Sequence, residues 1–147
     1  MSRDRTPPPL AVFVALALAT PLAAQQPVFG LHVAGPVRAS VGAGVWLGED
    51  PRHDAASGAV VLVEPGLRGG RASIGYAYAL RGGFGSFVTA RATALRTWRM
   101  PGPPRTYVGG EVQVLPLLAV GPRLGAFVPA DHNPRRVLWI LDVGLGL

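Results

Sequence analysis

Cysteine is absent from the 147 residues, and so is lysine. The first absence excludes a disulfide framework, thiolate metal sites and a cysteine nucleophile. It also excludes a lipid-anchored lipoprotein, because no cysteine follows the leader to carry the lipid. The second absence makes every basic side chain an arginine: 14 of them against 8 acids, for a formal net charge of +6. Long apolar runs are nearly missing too. The longest, Leu10 to Ala19, has ten residues, half of the roughly 20 that a helical membrane span needs. No segment shows a convincing helical period.

The usual chemical signatures are also missing. There is no Walker loop, zinc motif or dinucleotide fingerprint; the glycine pairs at 69–70, 82–83 and 109–110 fit turns and barrel packing instead. The serines after the leader, Ser40, Ser57, Ser73 and Ser86, sit in no recognisable nucleophile motif. His53 and His132 adjoin Asp54 and Asp131 in expected loops, and two residues do not make a metal or acid–base site. His32 is expected to be structural. No catalytic, cofactor-binding or metal-binding residue is assigned, no cofactor is expected, and the chain is not expected to be an enzyme.

What is present begins with a leader. Arg3 and Arg5 precede the ten-residue apolar run, and Leu22-Ala23-Ala24 places small residues after it. This order of basic region, short apolar region and small-residue site predicts a secretory signal peptide over 1–24, cut before Gln25. Removing 24 of the 147 residues leaves 123, one domain over 25–147. Loss of Arg3, Arg5 and Asp4 takes the charge from +6 to +5. The remaining arginines are spread along the chain, adjacent only at Arg135-Arg136, which does not fit a nucleic-acid face; anionic lipid headgroups suit such a charge better.

The dominant signal in the rest is alternation with a period of two, the mark of a strand with two different faces. Eight strands are expected, near 28–35, 38–48, 59–66, 70–80, 84–98, 106–115, 117–127 and 136–147, with glycine and proline marking the turns. In the fourth, Ala72, Ile74, Tyr76, Tyr78 and Leu80 oppose Arg71, Ser73, Gly75, Ala77 and Ala79. In the second, Ala39, Val41, Ala43, Val45 and Leu47 oppose Arg38, Ser40, Gly42 and Gly44. Residues 28–48 also read as one long strand, because the phase of Phe29, Leu31, Val33 and Val37 continues into Val41 and Val45; the count would then be seven. Pro122 falls inside a strand, where a bulge after Gly121 would accommodate it.

The polar face is built from Gly, Ser, Thr and Ala with isolated Arg, Glu and Asp. Small residues with sparse charges suit the narrow interior of an eight-stranded barrel, and the apolar face suits lipid. Arg96 alone places a charge on the apolar face within a strand, near its end. Counting across hairpins pairs Glu64 with Arg71, Arg91 diagonally with Glu111, and Arg123 with Asp142. The same phase sets Trp98 and Trp139 outward at one rim and Tyr78 and Phe84 outward at the other, as aromatic girdles. Arg99, Arg105 and Arg135 fall in loops or at a rim, within reach of lipid headgroups.

The terminal strand Asp142-Val143-Gly144-Leu145-Gly146-Leu147 and the segments Val112-Gln113-Val114-Leu115-Pro116-Leu117-Leu118 and Val120-Gly121-Pro122-Arg123-Leu124-Gly125 resemble the porin-like family of small outer-membrane β-barrel proteins. The resemblance implies fold and location more than activity, and it implies recognition by the outer-membrane insertion machinery. The expectation is therefore an all-β, antiparallel up-and-down barrel in the outer membrane. Its role would be structural or envelope-interacting, its partners membrane lipid and lipopolysaccharide, and its lumen filled by Arg–acid pairs. Two other readings stand beside it. One is a soluble periplasmic lipocalin-like barrel, with the Val and Tyr faces inward around a small apolar ligand. The other is a barrel enzyme that modifies lipid.

Overall fold

The computed structural model describes residues 25–35, 37–49, 55–80, 86–98, 103–116, 120–131 and 137–146. Eight strands follow in order: β1 (Gln25–Ala34), β2 (Arg38–Gly48), β3 (Ser57–Pro65), β4 (Gly69–Ala79), β5 (Phe87–Thr97), β6 (Arg105–Leu115), β7 (Val120–Pro129) and β8 (Leu138–Gly146). Each pairs antiparallel with its neighbour in sequence, and β8 returns to β1, so the sheet is a closed up-and-down barrel. The predicted leader, residues 1–24, lies outside the described residues.

The register fixes the shape. Val28, Gly44, Leu62, Ser73, Thr93, Gly109, Phe127 and Leu138 stand side by side in one row across the eight strands. The β8–β1 register, in which Ala34 faces Asp142, carries that row on to position 38, ten residues beyond Val28 where it began. A displacement of that size over eight strands tilts them by about 40° from the barrel axis. An eleven-residue strand such as β4 then rises about 25–30 Å along the axis.

Residues 28–48 form two strands, not one. The turn at 35–37 is so tight that Ala34 faces Arg38 directly. Arg38 takes a left-handed backbone conformation (φ 66°) there and is exposed, so it does not join the inward polar face with Ser40 and Gly42. Nor is there a bulge after Gly121: the β7–β8 register runs without a shift through Gly121, Pro122 and Arg123. The β6–β7 ladder ends at Arg123, so the missing Pro122 N–H interrupts no rung inside that ladder. Strand limits differ from expectation by a few residues. β3 starts two residues early, at Ser57, while Ser86, Trp98 and Val137 fall just outside β5 and β8.

The connections divide into two ends. One end holds the turns 35–37 and 66–68 and the connections 98–104 and 130–137. The other holds Gln25, Gly146 and the connections 49–56, 80–86 and 116–119.

Candidate functional site

The barrel interior is layered along its axis. Toward the end that holds Gln25 and Gly146, Trp46, Val60, Leu62, Ala77 and Leu115 pack together, with Val28 and Phe87 against them. Trp46 meets Phe87 edge-to-face at 6.0 Å between ring centroids, and its indole N–H donates to the Glu49 carbonyl at 2.8 Å. Gly58 is the residue under the indole: a Cβ there would come within 2.8 Å of the Trp46 ring. Toward the opposite end, Val37, Leu95, Phe127 and Ile140 form a second apolar layer, completed by Tyr107 and Leu138.

Between the two layers lies a belt of buried charge. Arg71, Arg91 and Arg123 face Glu64, Glu111 and Asp142, three against three, and each of the six is no more than 3% exposed. The three hairpin pairs read from the sequence are cross-strand neighbours: Glu64 opposite Arg71, Arg91 opposite Glu111, and Arg123 opposite Asp142. Arg91 and Glu111 are thus in direct register and not diagonal.

The side chains do more than close three hairpins. Arg123 is the hub. Its Nε donates to both Asp142 oxygens at 2.9 Å, and its Nη1 donates to Glu64 Oε1 at 2.6 Å across the lumen. Arg71 Nη1 donates to Asp142 Oδ2 at 2.7 Å and lies 3.6 Å from Glu111, closer than its 4.0 Å to Glu64. Arg91 Nε stands 3.1 Å from Glu111 Oε1, and its Nη2 donates to Gln113 Oε1 at 2.8 Å. Gln113 Nε2 donates in turn to the Gly146 carbonyl at 3.2 Å and lies 3.5 Å from His32 Nε2. His32 completes the circuit, with Nδ1 3.8 Å from Glu64. Strands β1, β3, β4, β5, β6, β7 and β8 therefore share one neutral network. The network lies between apolar layers, so each charged member is costly to remove singly.

Sequence reasoning missed Gln113 as a member and Trp46 as a plug. Gln113 has the same parity as Glu111, which was the available signal. Trp46 has the parity of Ser40 and Gly42, but indole on a face of small residues runs against the pattern.

The outer wall is apolar on every strand. Leu31, Val41, Val63, Ile74, Val112, Leu124 and Val143 are exposed around the circumference, with Ala92 on β5. Among the described strand residues, Arg96 is the only charge on that wall, one residue before β5 ends. Trp139 projects outward, 67% exposed, near the start of β8. Trp98, half-buried at the same end, lies over Gly70, whose added Cβ would meet the indole ring at 2.8 Å. Tyr78 is exposed near the opposite end of β4. Phe84, Arg99, Arg135, His53 and His132 lie outside the described residues; Arg105 and Asp131 are exposed. Tyr76 Oη donates to Ser57 Oγ on the outer face at 2.8 Å, while the buried Ser40 stands opposite the buried His32 across β1 and β2.

Gly144 offers a local test. A Cβ at this position would run into the His32 imidazole. Gly144→Ala is expected to cost about 1–3 kcal/mol by overpacking, read as a lower urea midpoint in detergent. Combining it with His32→Ala is expected to recover part of that loss. Equal costs with and without the imidazole would show that the clash is not with His32.

No family model, curated protein or solved structure matches this chain.

Proposed function

We propose that this protein is an outer-membrane β-barrel, exported by its leader, with a structural or envelope-interaction role and a lumen closed to bulk solute. The polarity of the wall carries the reading. Ionised groups lie inside and aliphatic and aromatic groups outside, the inverse of a barrel built to dissolve in water. Monomeric soluble proteins rarely expose more than a few hundred Å² of contiguous apolar surface. Here such surface encircles the molecule, with Val33 at 70%, Leu141 at 69% and Phe29 at 68% exposure. The strand height of about 25–30 Å is close to the outward apolar band of about 25 Å on membrane barrels. In a lipocalin-like barrel the same Val and Tyr residues would line a ligand cavity; in this one they face out, and the interior is occupied by the ion network and its two apolar layers.

The test is a heat-modifiability gel on residues 25–147 refolded in detergent. A closed membrane barrel is expected to resist SDS unheated and to shift after boiling, only where detergent or lipid was present during refolding. Planar-bilayer recordings on the same preparation are expected to show no discrete conductance steps, because both apolar layers and the ion belt block the bore. A chain that stays monodisperse and folded in plain buffer would sink the membrane reading. Discrete conductance steps would sink the closed lumen.

A further inference from the structure

Among the described residues, the lumen arginines are paired with acids and those at the rim are not. At the end opposite Gln25 and Gly146, Arg38 opens β2, Arg68 sits in the turn 66–68, Arg96 points outward near the end of β5, and Arg105 opens β6. The backbone joins these positions into one arc. The Arg68 amide donates to the Val37 carbonyl at 3.3 Å, and the Trp98 amide donates to the Arg68 carbonyl at 2.8 Å. Arg96 stands opposite Gly70, and Thr97 opposite Arg105. Among the described residues no carboxylate pairs with any of the four. The described acid at this end, Asp131, follows β7, beyond the arc.

Three features of the arc point to one class of partner. Its charges are guanidinium groups, whose planar forks match phosphate oxygens two at a time. It runs from β2 to β6, half of the way round the closed eight-stranded barrel, so its guanidinium groups are spread farther than a single phosphate reaches. It also borders the apolar wall. Below Arg96 the outer face of β5 descends through Ala94 to Ala92, which with Gly110, Leu124 and Trp139 lines a shallow groove of about 560 Å³. A cationic rim above an apolar groove complements an amphiphile, not a free anion.

We propose that this arc binds a membrane lipid whose headgroup carries more than one phosphate. Arg68 and Arg96 hold the phosphate nearest Trp98, Arg38 and Arg105 extend the contact along the rim, and an acyl chain lies in the groove beside Gly110. The inference rests on the membrane reading and gives that barrel its partner in the leaflet at this end.

The test compares residues 25–147 with the Arg38→Ala/Arg68→Ala/Arg96→Ala variant. Both are refolded into phosphatidylcholine vesicles containing a minority of bisphosphorylated lipid A, or phosphatidylglycerol at equal total charge. The lipid retained after mild detergent extraction is counted by native mass spectrometry. The native barrel is expected to retain the bisphosphorylated lipid in preference to phosphatidylglycerol. At roughly fivefold per arginine near a charged surface, the triple variant is expected to lose on the order of a hundredfold in retention, with its heat shift unchanged. Arg68→Lys/Arg96→Lys keeps charge and fold but removes the forks, and is expected to fall between the two. Equal retention by native protein and variants would overturn the site. So would displacement of the lipid by inorganic phosphate, which would make the arc a free-anion site. A barrel that fails to enter phosphatidylcholine vesicles at all would instead overturn the membrane reading.

Discussion

Replacing Arg123 with Met is expected to destabilise the barrel by about 3–5 kcal/mol, the cost of breaking a buried ion pair from one side. Arg123 touches Asp142 through Nε and Nη2 and Glu64 through Nη1, and all three side chains are about 1% exposed. Its removal leaves two positive groups against three negative ones in a space that two apolar layers shut off. Asp142 keeps Arg71 at 2.7 Å, but Glu64 keeps only Arg71 at 4.0 Å and His32 at 3.8 Å. The stranded charge is therefore that of Glu64. Adding Glu64→Gln to Arg123→Met restores neutrality and is expected to recover more than half of the loss. Urea unfolding in detergent, with the heat shift confirming closure, measures both. A cost below about 1 kcal/mol for the single change, the range of solvated surface pairs, would mean that the belt is hydrated and acts as separate pairs.

The connectivity of that belt also shows where sequence stops being informative. Pairs across a hairpin were legible because antiparallel register and alternation place the two side chains together, as for Arg123 and Asp142. The bond from Arg123 to Glu64 joins β7 to β3, and no local count reaches across a lumen. The turn expected between 35 and 38 could also be read as continuous strand, for a related reason. β1 and β2 pair odd residues with odd, Leu31 with Val41 and Val33 with Ala39. The outward phase therefore passes through the turn unbroken, and a hairpin imitates one long strand. β4 was plain because Ile74, Tyr76 and Tyr78 contrast with Ser73, Gly75 and Ala77. β3 was not, because the residues flanking its charge are aliphatic on both faces. Val61 and Val63 point out, while Val60 and Leu62 build the inner plug. Apolar layers at both ends of a polar lumen erase alternation where they occur, so the charged belt was legible in the periodicity and the layers above and below it were not.

A charge placed on the outer wall separates the two barrel readings by the size of its effect and by how that effect changes along the strand. Ile74 is 49% exposed near mid-height of β4, opposite Val61 on β3 and Ala92 on β5. If that height is the centre of a bilayer, Ile74→Arg is expected to cost about 2–4 kcal/mol in phosphatidylcholine vesicles. Leu80→Arg, just past the end of β4, is expected to cost about 0–1 kcal/mol, because the guanidinium reaches the headgroup region. The native chain already follows this gradient, since Arg96, the one outward charge among the described strand residues, stands one residue from the end of β5. In a water-soluble barrel the order disappears: an arginine at either exposed site costs within about 0.5 kcal/mol, the usual range for surface changes. Reversible urea unfolding of both variants from vesicles measures the difference. A cost that grows from Leu80 to Ile74 places the middle of the wall in hydrocarbon, and equal small costs at both positions would return the wall to water.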